Sequence, residues 1–131
     1  MNAGSRSEGS RRTPIILVID DDEYVHSMLA AALRGLRAEI IQATTAARGL
    51  ELALERRPDV AIIDVGLPDL DGYALTRALR AMTELASLRI CILTGHLPYE
   101  ALASEAGANA IIGKPFRVQE FLDIIRRQLH D

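Results

Sequence analysis

Short apolar runs alternate with amphipathic segments along the chain from residue 15 to its end. The run 15–19 is continuously apolar, which is typical of a strand buried on both faces of a parallel sheet. Comparable runs, rich in aliphatic and β-branched residues, predict four further strands at 38–43, 60–63, 89–93 and 110–112.

Helical patterns occupy the stretches between these runs. Apolar residues at three- and four-residue spacing, with acids in the first turn, predict a helix over about 23–36. Thr44 or Thr45 is expected to cap a second helix that ends at 56, before Pro58. Three more helices are predicted at 72–82, at 98–105 before Gly107, and at 118–129.

Five β-α units in succession predict an α/β fold with helices on both faces of a five-stranded parallel sheet. Right-handed crossovers favour a doubly wound, flavodoxin-like sheet with strand order 2-1-3-4-5. Residues 1–13 offer little to bury and are expected to form a disordered tail, and 14–131 to form one domain.

Composition narrows the classes of function. The 131 residues include one cysteine, which excludes an intramolecular disulfide framework, and the net charge of −3 argues against a broad nucleic-acid surface. No apolar run is long enough to span a membrane, and no signal peptide is apparent. We therefore expect a cytoplasmic protein with no membrane or direct nucleic-acid partner.

Polar residues follow four of the five predicted strands. The first strand runs into Asp20, Asp21 and Asp22, and the others run into Asp64, Thr94 and Lys114, which is the only lysine of the chain. The carboxyl ends of parallel strands share one edge, where ligands bind at the switch point between the first and third strands.

Converging carboxylates repel one another and raise each other's pKa unless a cation joins them. Oxygen ligands suit Mg²⁺, which keeps several waters and couples readily to phosphate oxygens. The alternative interpretation, that these acids only cap the following helix, is adopted for Asp22 but not for Asp20 and Asp21, because Asp64 converges on the same edge.

Asp64 is the predicted nucleophile of this site. A carboxylate beside a metal, a lysine and a hydroxyl suits an aspartate that accepts a phosphoryl group. Thr94 and Lys114 would contact the phosphoryl oxygens. Taken singly, these three residues could be a turn former, a strand residue and a solvated lysine.

The sequence resembles the receiver domain of two-component response regulators, over residues 14–130. Four motifs carry the resemblance, in order along the chain. They are Ile16-Leu17-Val18-Ile19-Asp20-Asp21-Asp22, then Ile63-Asp64-Val65-Gly66-Leu67-Pro68-Asp69-Leu70-Asp71-Gly72, then Ile92-Leu93-Thr94-Gly95, and Gly113-Lys114-Pro115-Phe116.

The resemblance implies that Asp64 accepts a phosphoryl group from a histidine kinase or a histidine phosphotransfer protein. It also implies that Asp21 and Asp64 bind Mg²⁺ directly, Asp20 through water, and Gly66 through its backbone carbonyl. Such a domain catalyses only its own phosphorylation and dephosphorylation, and a downstream effector protein or domain reads its state.

One position departs from the family pattern. Receivers commonly carry an aromatic residue three positions before the lysine, where this chain has Ile111, so the usual coupling of the threonine to an aromatic ring is in doubt. Tyr99 is considered as a substitute, and His96 as either a solvated residue or a hydrogen-bond donor at the site. His26 and His130 are predicted at the surface.

Two other classes of function are considered. An aspartyl phosphohydrolase that resembles the haloacid dehalogenases would need a second acid two residues after its nucleophile, and Gly66 occupies that position. A binding module that never carries phosphate is the other alternative. No output domain is visible after the last predicted helix, and the sequence leaves open whether the chain is a stand-alone regulator or part of a longer one.

Overall fold

A computed structural model of the chain describes residues 12–95 and 100–130. Its strands are β1 (Ile15–Ile19), β2 (Glu39–Ala43), β3 (Val60–Asp64), β4 (Arg89–Thr94) and β5 (Ala110–Gly113). Its helices are α1 (Glu23–Leu33), α2 (Ala46–Arg56), α3 (Gly72–Arg80), α4 (Glu100–Ala106) and α5 (Val118–His130), with short 3₁₀ turns at Arg34–Leu36 and Thr83–Leu85. Within the described residues, no helix is both long enough and apolar enough to cross a bilayer.

The five strands form one parallel sheet in the order β2-β1-β3-β4-β5. This arrangement confirms the predicted fold class and strand order. Because β1 is paired with both β2 and β3, the chain reverses its direction of winding there, and the carboxyl ends of β1 and β3 lie side by side.

Alternate strand residues enter two separate apolar cores, one on each face of the sheet. Ile63 and Ile92 pack with residues of α2, α3 and α4 on one face. Ile62 and Leu93 pack with residues of α1 and α5 on the other face. Burial on both faces explains why β1, β3 and β4 carry continuous apolar runs instead of alternating, whereas β2, at the edge of the sheet, includes the exposed polar residues Glu39 and Gln42.

The first helix ends earlier than its apolar pattern suggests. The α-helix stops at Leu33, and a 3₁₀ turn covers the last three residues of the predicted stretch. Gly35 is a poor helix former, and Arg37, with φ of 55°, takes the left-handed conformation that turns the chain towards β2. The expected caps are present: Asp22 caps α1 and Thr45 caps α2 through their side chains.

Residues 1–11 and 131 lie outside the described residues, so the disordered tail stays a prediction. Arg12 packs against the amino edge of the sheet, where its guanidinium contacts both carboxylate oxygens of Asp59 at 2.6 and 3.2 Å. Asp59 also accepts a hydrogen bond from the backbone N–H of Ile15 at 2.8 Å, so its carboxylate ties β1 to the turn that precedes β3.

Candidate functional site

The carboxyl edge of the sheet gathers the acids that follow β1 and end β3. Asp20, Asp21 and Asp64 each offer a carboxylate oxygen within 4.8 Å of the others, and together they form the acidic pocket. Asp20 and Asp64 are buried whereas Asp21 is exposed, so the pocket is open to solvent on one side. These are the three carboxylates that the sequence predicts to converge.

Each carboxylate oxygen of Asp64 has a partner in the described part of the chain. Lys114 Nζ lies 2.9 Å from Oδ1, and the backbone N–H of Gly66 donates to Oδ2 over 2.9 Å. Thr94, which ends β4, is buried beside this edge at 2% exposure. The N–H of Lys114 donates to the carbonyl of Thr94 over 2.7 Å, so the two predicted phosphoryl contacts are joined through the backbone.

Asp20 is the most deeply buried of the three acids, with 1% of its surface exposed. Its Oδ1 accepts from the N–H of Asp22 at 2.9 Å, while its Oδ2 has no hydrogen-bond partner among the described residues and lies 4.0 Å from Lys114 Nζ. Burial is the main cause that raises the pKa of Asp20, and repulsion from Asp64 adds to it.

The second half of the loop after Asp64 is fixed by two aspartate side chains. Asp69 accepts from the N–H groups of Ala46 and Ala47 at 2.9 and 3.0 Å, across the gap to α2. These two bonds lower the pKa of Asp69. Asp71 caps α3 by accepting from Ala74 N–H at 2.9 Å.

Gly72 brings the start of α3 directly against the backbone of Asp64. A Cβ at this glycine would lie 2.6 Å from the carbonyl oxygen of Asp64, so a side chain there would push the helix away from the acid. Gly72 therefore allows α3 to begin directly beside the backbone of the predicted nucleophile.

His26 is not at the surface, so that prediction is wrong. The ring is 2% exposed and faces the carboxyl ends of β1 and β2. Its Nε2 lies 2.7 Å from the carbonyl oxygen of Asp20 and 3.2 Å from that of Ala43. The residue lies three and seven positions before Leu29 and Leu33 on the buried stripe of α1, a spacing that could have revealed its burial.

Other residues singled out in the sequence are placed as follows. Ile111 is half-buried in β5, opposite Ile92 and against the core under α2, α3 and α4. His130 is exposed at the end of α5, as predicted. His96 and Tyr99, and with them the predicted start of the fourth helix, lie outside the described residues.

The pocket fits a hard cation. Among the described residues, Lys114 is the one cation paired with any of the three carboxylates, which leaves excess negative charge, and Asp20 Oδ2 is a buried acceptor without a hydrogen-bond partner. A divalent ion with oxygen ligands would offset both features. Lys114 Nζ lies near two of these carboxylates, those of Asp64 and Asp20, and provides a fixed positive charge for an anionic group on Asp64.

The sequence profile of the family described as "Response regulator receiver domain" matches residues 16–126 of the chain. The chain belongs to this family. The family consists of receiver domains of response regulators, and it is not a classical enzyme family.

Curated relatives include the transcriptional regulatory protein PrrA of Mycobacterium tuberculosis (strain ATCC 25618 / H37Rv), which is 34% identical over 119 residues. That match covers 89% of this chain and 50% of PrrA. The receiver chain thus spans about half the length of the curated relatives that it matches.

Solved structures of receiver domains agree with the fold. A response regulator from Chloroflexus aurantiacus J-10-fl is 34% identical with a TM-score of 0.86, over 92% of this chain and 100% of that one. The receiver domain of the sensor histidine kinase PA1611 from Pseudomonas aeruginosa PAO1 is 28% identical with a TM-score of 0.83, over 92% and 100% of the two chains. That structure has a magnesium ion coordinated in its active-site cleft.

Proposed function

We propose that this receiver domain accepts a phosphoryl group on Asp64 in a Mg²⁺-dependent reaction. The observation that carries the proposal is the pairing of Asp64 Oδ1 with Lys114 Nζ at 2.9 Å, beside two further carboxylates within 4.8 Å. A structural ion pair would not need the two additional acids, which destabilise it by repulsion.

The residues of the site have separate roles in this reaction. A carboxylate oxygen of Asp64 attacks the phosphorus of a phosphohistidine, the P–N bond breaks, and the leaving imidazole nitrogen takes up a proton. Lys114 and the hydroxyl of Thr94 contact the transferred phosphoryl oxygens. The N–H of Gly66 already donates to Asp64 Oδ2 and keeps the carboxylate oriented.

Asp21 and Asp64 would bind Mg²⁺ directly, Asp20 through water, and Gly66 through its carbonyl oxygen. Bound Mg²⁺ supplies charge neutralisation for the phosphoryl oxygens. The magnesium ion reported for the PA1611 receiver domain supports this assignment by similarity.

The proposed phosphoryl donor is a histidine kinase or a histidine phosphotransfer protein, and a downstream effector protein or domain would read the result. Transcriptional regulators among the relatives support an effector of that kind, since the matched region is about half of each of them. On this proposal the domain turns over no external substrate and catalyses only its own phosphorylation and dephosphorylation.

Intact mass spectrometry after incubation with Mg²⁺ and acetyl phosphate tests the proposal. Wild type should gain one phosphoryl group, and Asp64→Asn should gain none. Asp123→Asn is the matched control, because Asp123 is an exposed acid on α5 that pairs with Arg126 at 3.2 Å. Phosphorylation of Asp64→Asn would contradict the proposal. Absence of phosphorylation in wild type would also contradict it, and would favour a binding module that carries no phosphate.

A further inference from the structure

His26 forms a cluster with the carboxyl ends of β1 and β2. The carbonyl oxygen of Ala43 accepts from the N–H of Asp20 at 3.0 Å and also faces His26 Nε2 at 3.2 Å. The shorter contact of Nε2, at 2.7 Å, goes to the carbonyl oxygen of Asp20. One ring nitrogen therefore meets two acceptors at the point where β1 leaves the sheet for the acidic pocket.

The two acceptors fix the role of the ring nitrogen. Carbonyl oxygens only accept hydrogen bonds, so Nε2 must carry the proton and donate it. The backbone carbonyl of Asp20 is the better acceptor, because it is nearer to Nε2 than that of Ala43 is. Nδ1 is buried without a hydrogen-bond partner among the described residues. A buried acceptor without a partner is unfavourable, so packing alone would be served better by an apolar side chain.

The carbonyl held by His26 belongs to the peptide that joins Asp20 to Asp21. That peptide carries one acid of the pocket on each side, and repulsion among the three carboxylates acts to spread them apart. A hydrogen bond from the helix to the peptide carbonyl opposes this movement without touching a carboxylate.

We propose that His26 is a positioning residue of the acidic pocket: its Nε2–H holds the Asp20–Asp21 peptide so that both carboxylates face Asp64. The proposal rests on the Mg²⁺-dependent function proposed above. His26 would then act as groups that hydrogen-bond to metal ligands do. Removing such a group commonly weakens metal binding by tenfold or more.

Two substitutions separate the hydrogen bond from the packing. His26→Leu fills similar space without a donor, whereas His26→Gln places an amide nitrogen the same number of bonds from Cγ as Nε2. Mg²⁺ titration followed by amide NMR shifts should show about tenfold weaker binding in His26→Leu and near wild-type binding in His26→Gln. His130→Leu, which removes an exposed histidine at the far end of α5, should bind as wild type.

Equal Mg²⁺ affinity of His26→Leu and wild type would overturn the inference, and so would a His26→Gln variant as weak as His26→Leu. If His26→Leu does not fold, ¹⁵N NMR of the wild-type ring decides. We expect the proton to be on Nε2 and to be protected from exchange with solvent. We also expect the ring nitrogen signals to shift when Mg²⁺ is added. A proton on Nδ1, or no response to Mg²⁺, would contradict the inference.

Failure of the proposed function has a different signature. In that case wild type would gain no phosphoryl group from acetyl phosphate, and if wild type also bound no Mg²⁺, the inference about His26 would fall with it. If wild type and His26→Leu bound Mg²⁺ equally well, only the role of His26 would be contradicted.

Discussion

The two ends of β3 carry aspartates with opposite electrostatic surroundings. At the amino edge, Asp59 is matched by the bidentate guanidinium of Arg12 and by the N–H of Ile15. At the carboxyl edge, Asp64 shares Lys114 with Asp20 and lies against Asp21 as well. At the amino edge, groups of the protein neutralise the aspartate. At the carboxyl edge, negative charge is left for a ligand to neutralise.

This difference indicates which edge is built for stability and which for function. Removing the charge at the amino edge should destabilise the fold and leave ligand binding unchanged. Removing an acid at the carboxyl edge should impair Mg²⁺ binding and cost little stability, or even increase the free energy of unfolding. Stability that is given up at a functional site in this way is common in proteins.

The largest expected effect comes from Lys114→Ala at the carboxyl edge. Beryllofluoride, which mimics a phosphoryl group, should no longer produce the amide shift changes of wild type, because the cation that contacts the phosphoryl oxygens is missing. Mg²⁺ binding should stay equal to wild type or become tighter, since a competing positive charge 2.9 Å from Asp64 is removed.

Arg117→Ala is the control for Lys114→Ala, because it removes an exposed cation three positions further along the chain. It should leave both the shift changes and Mg²⁺ binding as in wild type. Wild-type shift changes in Lys114→Ala would show that this lysine does not contact the phosphoryl group.

A smaller effect, on stability alone, is expected from Asp59→Ala at the amino edge. The variant loses an acceptor for the Ile15 N–H and a bidentate partner for Arg12, which should lower the free energy of unfolding by about 2 kcal/mol. Urea unfolding measures the loss, and Asp59→Asn, which keeps an acceptor oxygen, should lose less. Weaker Mg²⁺ binding in Asp59→Ala would contradict the assignment of stability to the amino edge and of ligand binding to the carboxyl edge.

Sequence reasoning predicted the carboxyl edge better than the amino edge for a physical reason. The residues at the carboxyl edge follow directly from strand ends, so locating each apolar run also locates Asp20, Asp64, Thr94 and Lys114. The pair Arg12 and Asp59 depends on two segments 47 positions apart that meet only when the sheet forms.

The same limit applies to Asp69. Asp69 stabilises the start of α2, 23 residues earlier in the chain, and no local pattern signals such a distant cap. His26 is a different case, because a local pattern, the buried stripe of α1, indicates its burial. A polar residue at an apolar position of a helix next to a predicted site is therefore worth treating as part of that site.

The smallest effect is expected from Asp20→Asn, measured without Mg²⁺ and with a chelator present. Burial raises the pKa of Asp20, so the folded state favours its protonated form and loses stability as the pH rises through the folded-state pKa. Asp20→Asn removes this buried charge, so at pH 7 it should raise the free energy of unfolding by about 1 kcal/mol.

The pH dependence of this gain distinguishes charge from packing. As the pH falls towards the unfolded-state pKa of about 4, Asp20 becomes protonated in the wild type too, so its stability should approach that of Asp20→Asn. Asp123→Asn, at an exposed acid of α5, should show no comparable gain at pH 7. A gain that persists unchanged at acidic pH would mean that shape, and not the buried charge, limits the stability of the carboxyl edge.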